Sequence, residues 1–145
     1  MTGKSDFTEQ EWDNVLKGPP AAGLMVASAA KGGTFKESFA IAKSYTEARN
    51  EHGSSELVDA IVSAKPEIEH HMYHSYDEIK RAGVEHLHSA VSVLASKATP
   101  DEVDDYRRFV LTLSDHVANA HREDGEAVSG GERAAIADIT AALGG

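Results

Sequence analysis

Apolar residues recur along this chain at intervals of three and four. Between 66 and 97, Ile68, Met72, Tyr76, Ile79, Gly83, Leu87, Ala90 and Leu94 fall on one stripe when each residue advances by 100°. Glu67, His70, His74, Glu78, Arg81, Glu85 and His88 fall roughly opposite, so the stripe is predicted to face a core and the charged side to face water. Tyr106, Val110, Leu113 and Val117 form a second stripe, flanked by His116 and His121. Near the start, Phe7, Trp12, Val15 and Leu16 make an apolar edge in which Trp12 reads as a packing anchor. No stretch sustains two-residue alternation with β-branched residues, so no sheet is expected. The predicted fold class is all-α.

Helix starts are marked in the sequence as well. Thr8 with Glu11, Thr34 with Glu37, Thr99 with Glu102 and Ser129 with Glu132 each spell the capping box, in which side chains satisfy the first unpaired amides of a helix. Pro100 stands at a first helical position, where its missing N–H costs nothing, and Asp101, Glu102, Asp104 and Asp105 crowd the turn that the helix dipole favours for acids. Gly18-Pro19, Gly32-Gly33, His52-Gly53 and Gly125 supply expected breaks, while Pro66 either opens the long helix or kinks it. The result is a bundle of about seven helices, at about 8–17, 20–31, 34–51, 54–64, 66–97, 100–123 and 129–143.

A weak internal repeat lies over this map. Val26/Val117, Ala27/Ala118 and Ala29/Ala120 agree, followed by Thr34/Ser129 and Glu37/Glu132 at the cap. Each copy is a helix, a glycine-containing turn and a capped helix. Two such helix-turn-helix units are expected to pack about the long helix at 66–97, because neither can bury both faces alone.

Length and charge narrow the classes of function. At 145 residues the chain, 1–145, is expected to be a single domain. A formal charge of −10 with no Lys/Arg cluster excludes a phosphate-backbone partner, so no nucleic acid is expected. Cysteine is absent, which removes disulfides, thiolate nucleophiles and cysteine metal sites. No run approaches membrane-spanning length and the start lacks a signal-like apolar core, so a cytoplasmic protein is expected.

Two segments carry candidate chemistry. In the histidine-rich helix, Glu67, His70, His71 and His74 have the spacings of helical metal ligands, and Glu-x-x-His is half of a di-iron signature. That site needs inward-facing ligands and a second copy of the motif. The stripe puts His70 and His74 on the solvent side, and no second copy exists, so tightly bound di-iron is not expected. His86 lies nearer the stripe and is expected to be mostly buried and hydrogen-bonded, as are the flanking His116 and His121. The second segment is the acidic turn, where Asp124, Glu126 and Glu132, with Glu123, gather carboxylates fit for a weak divalent cation. It is not an EF-hand, because Gly125 and Ala135 stand at the wrong places, and Glu132 is also the expected cap of its helix. For catalysis there is no G-x-S-x-G elbow, no phosphate loop and no carboxylate pair forced into an apolar pocket.

The closing stretch resembles the tellurite-resistance TerB family and its TerB-like relatives. The likeness runs through Val117-Ala118, Asp124-Gly125, Glu132, Ala135, Ile139 and Ala142-Leu143-Gly144, and in the first copy through Val26-Ala27, Gly32 and Glu37. Where the family pattern has an aspartate before the turn glycine, the first copy has Lys31, which halves any paired acidic feature. The resemblance implies a non-enzymatic, stress-linked helical module acting through a protein partner or a weak divalent-ion site. Two other classes stay open: a helical metal-binding protein using 67–78, and a structural module that forms homo-oligomers.

Overall fold

The computed structural model describes residues 6–29, 34–50, 56–63, 76–122 and 130–144, with side chains described at 6–26, 41–50, 57–63, 77–119 and 133–144. Among these residues it is a bundle of six helices with no strand: α1 (Glu9–Ala29), α2 (Thr34–Asn50), α3 (Glu56–Val62), α4 (Tyr76–Lys97), α5 (Pro100–Arg122) and α6 (Gly130–Ala142). No described helix is long and apolar enough to cross a membrane.

The two capping boxes whose side chains are described both form. Thr8 N–H donates to Glu11 Oε1 at 2.9 Å while Glu11 N–H donates to Thr8 Oγ1 at 3.1 Å. Thr99 and Glu102 repeat the exchange at 3.0 and 3.2 Å, with Pro100 as the first helical residue. Phe7, just before the first cap, stacks on Trp12 with ring centroids 5.5 Å apart. That contact is the hydrophobic staple that sets the chain's angle of entry into α1. Trp12 is a packing anchor, as its sequence neighbours indicate.

Glu11 also receives Lys97 Nζ at 2.6 Å, tying the start of α1 to the end of α4, and Lys97 lies 5.9 Å from the centre of the Phe7 ring. The Lys97 ammonium, then the Thr8 amide, hold the Glu11 carboxyl below its ordinary range. A carboxylate with a depressed folded pKa stabilises the fold above its unfolded value of about 4.3, and that contribution is lost as pH falls through the folded value. Lys97→Met is therefore expected to move the Glu11 titration upward, read by carboxyl carbon NMR, while leaving the Thr8 cap formed.

The expected break at Gly18-Pro19 is absent. The two helices expected on either side of it are joined in one, α1 (Glu9–Ala29), with Pro19 and Pro20 inside it. Pro19 has no N–H to give the carbonyl of Val15, four residues back. That carbonyl instead accepts the hydroxyl of Tyr106 from α5 at 2.8 Å, in a buried setting. Gly18 makes the approach feasible: a β-carbon there would lie on the Tyr106 hydroxyl, well inside contact distance. Burial holds the Tyr106 hydroxyl far above the ordinary phenol value, so it remains a donor.

Continuity of α1 changes what lies at the centre. The long helix at 66–97 was the expected axis, and its first part, up to residue 75, lies outside the described residues. Among those residues α1 packs most extensively on α4 and also meets α2, α5 and α6, while α5 touches α1, α2, α3, α4 and α6. These two helices are the hub because α1 spans both predicted segments and α5 carries the sharpest apolar stripe of the bundle. Tyr106, Val110, Leu113 and Val117 are all fully buried, as are Leu87, Ala90 and Leu94 of α4. Glu78, Arg81, Glu85 and His88 face solvent on α4, as the wheel requires.

The ends of α3 and α6 are tied to neighbouring helices. Arg49 Nε donates to the Val62 carbonyl at the end of α3, so a seven-residue helix is pinned to α2. Arg107 Nε donates to the Leu143 carbonyl at 2.7 Å beyond α6, beside Gly144, whose φ of 78° closes the helix in the left-handed region.

Candidate functional site

Most sequence-predicted ligands lie outside the described residues. Glu67, His70, His71 and His74 fall within 64–75, and Asp124 and Glu126 within 123–129. Glu132 sits on α6, with its side chain outside the description. Among the described residues no three His, Asp or Glu side chains gather in a way that could hold a metal. His88 is exposed. His86 is half-buried rather than mostly buried, because it stands one residue, or 100°, away from the buried Leu87.

The described residues instead form a cleft between α2, α3 and α5. From α2 come Ser44, Glu47 and Ala48, at the three- and four-residue spacing that shares one helix face. From α5 come Asp105, Arg108, Phe109, Thr112 and His116, again one face, and α3 adds Val58 and Asp59. The cleft holds about 170 Å³. Buried Phe109 and the side chains of Ala48 and Val58 give it an apolar floor, and Tyr45 meets the Phe109 ring edge-on at 5.4 Å from behind. Burial pushes the Tyr45 hydroxyl well above its ordinary value, against the opposing field of Arg49.

Ser44 is 4% exposed, and its hydroxyl lies 2.8 Å from His116 Nδ1. A buried hydroxyl needs such a partner. His116 is thus hydrogen-bonded as expected, but on a cleft wall with its side chain 38% exposed rather than in the core. Glu47 Oε2 stands 3.8 Å from the same Nδ1. Half-buried Asp105 faces the exposed Arg108 at 3.6 Å.

A serine against an imidazole invites comparison with a nucleophile and its base. In such sites the orienting acid holds the ring nitrogen opposite the nucleophile. Here serine and glutamate share one nitrogen, so Glu47 cannot orient the ring toward Ser44. Ser44 also lies inside α2, where backbone amides are spent on helix hydrogen bonds and none is left to cradle an oxyanion. The cleft is smaller than the roughly 300–1,000 Å³ of small-molecule sites. What the cleft offers is apolar contact beside charged groups.

No family model matches the chain, and no match was found among curated proteins or solved structures. In the motif behind the TerB resemblance, Val26, Val117, Ala118, Ala135, Ile139, Ala142 and Leu143 are all buried core. Their types follow from packing. The acidic half of the motif, at the turn, lies outside the described residues.

The cleft was not foreseen. Its local signals are the polar sets 44/47 and 105/108/112/116 beside the apolar stripes. Nothing in the sequence joins Ser44 to His116, which are 72 positions apart.

Proposed function

We propose that this chain is a non-enzymatic helical binding module that acts through a protein partner, with the TerB-like motif pointing to a bacterial stress response such as tellurite resistance. The observation that carries the reading is the α2–α3–α5 cleft, which combines an apolar floor and a charged rim with a serine–histidine pair in which Glu47 approaches the same ring nitrogen as the serine. A weak divalent-ion site at Asp124, Glu126 and Glu132 belongs to the same reading, as do the two corners at 26–37 and 117–132 taken as copies of one unit. Affinity capture from the source cell tests it, with the wild-type chain and a Glu47→Lys/Asp105→Lys variant as baits. A partner held by the wild type and lost by the variant is the expected result. Identical captures, or an ester hydrolysis that disappears in Ser44→Ala, would overturn it. Calcium titration followed by amide NMR tests the ion site separately, with movement expected only at residues 122–132.

A further inference from the structure

We infer that the cleft receives the cationic head of a lysine or arginine side chain presented by a basic segment of a partner protein; this rests on the binding-module reading above. The volume, about 170 Å³, suits one long side chain rather than a cofactor. Lysine and arginine are amphipathic, with an alkyl stem that packs on apolar surface and a head that stays with polar groups. Ala48, Val58 and Phe109 provide the surface for the stem.

Acidic residues on three different helices line the cleft: Glu47 on α2, Asp105 on α5 and, already engaged with a partner of its own, Asp59 on α3. The opposing charge in the lining is Arg108, which is 76% exposed and leans toward Asp105. Three acidic residues against one arginine give the lining a formally negative balance. Ser44 and His116 satisfy each other on one wall, so recognition falls to the carboxylates and the floor. An acidic or phosphorylated segment would meet like charge here, and the formal charge of −10 on the whole chain steers basic segments inward.

The test uses the full chain with hexa-arginine and hexa-lysine peptides as probes, followed by amide NMR and by calorimetry at two salt concentrations. Shifts are expected to cluster at residues 44–48, 58–59 and 105–116. Glu47→Gln/Asp105→Asn is expected to weaken binding roughly tenfold, about 1.4 kcal/mol. Glu78→Gln/Glu85→Gln, at exposed positions of α4 that do not line the cleft, should change it less than about twofold, because salt screens such surface charges. Equal losses in the two variants, or shifts spread over the whole acidic surface, would mean that the peptides see only net charge, and the inference would fall. If the peptides do not bind while a captured partner still depends on Glu47 and Asp105, the inference fails and the binding-module reading stands. If capture is independent of the cleft, both fail.

Discussion

Gly18→Ala is expected to destabilise the protein by about 1–3 kcal/mol, the usual cost of forcing extra volume into a packed interior. Alanine would otherwise favour the helix over glycine by about 1 kcal/mol. The steric term wins because the new β-carbon falls on the Tyr106 hydroxyl, which is held in place by its bond to the Val15 carbonyl. Tyr106→Phe alone leaves that carbonyl buried without the donor that proline removed, a loss of about 1–3 kcal/mol. The double variant decides between mechanisms. Without the hydroxyl, the added methyl at position 18 meets the ring carbon Cζ at 3.3 Å and Leu87 Cδ2 at 3.5 Å, distances that a small shift accommodates. The Gly18→Ala penalty should therefore largely vanish in the Tyr106→Phe background, giving a coupling of about 1 kcal/mol or more in a double-mutant cycle by urea unfolding. Additive losses would show that the hydroxyl is not the obstacle.

Gly23→Ala is expected to cost about 1–3 kcal/mol, whereas Gly83→Ala should cost under about 1 kcal/mol, although both glycines lie at close helix crossings. At Gly23 the new β-carbon meets Ile41 Cδ1 at 2.6 Å, Ile41 Cγ1 at 2.7 Å and Leu113 Cδ2 at 3.0 Å. Isoleucine is stiff at χ1, and both Ile41 and Leu113 are buried with nowhere to turn. At Gly83 the obstacle is Met25, through its sulfur and Cγ. Methionine is unbranched and repacks readily, so the helix preference of alanine offsets much of the crowding. Thermal or urea unfolding of the two variants side by side checks the ranking. A larger loss at position 83 would mean that Met25 is held as rigidly as Ile41.

Local physics was legible along the chain. The stripe through Ile79, Gly83, Leu87, Ala90 and Leu94 could be placed because burial on one face of a helix imposes a period that the sequence must carry. The boxes at Thr8 and Thr99 could be placed because cap and capped amide are three residues apart. The all-α class follows from these signals together. The break expected at Gly18-Pro19 does not occur, for the complementary reason: in isolation a glycine and two prolines end a helix. Within the continuous α1, the carbonyl that Pro19 leaves without an amide is taken by a hydroxyl 91 positions away, which sequence-local rules contain no term for.

The candidate site divides in the same way. Each wall of the cleft is an ordinary polar helix face, readable by its spacing on α2 or on α5. Which faces meet, which serine finds which histidine, and on which ring nitrogen Glu47 arrives are set by how the helices pack around α1 and α5. The sequence by itself determined the all-α class, the caps at Thr8 and Thr99 and the buried sides of α4 and α5, because those depend on neighbours within about one turn. Only the tertiary structure decided that α1 is continuous and that three helices share an acidic-rimmed cleft, because both depend on contacts between segments far apart in the chain.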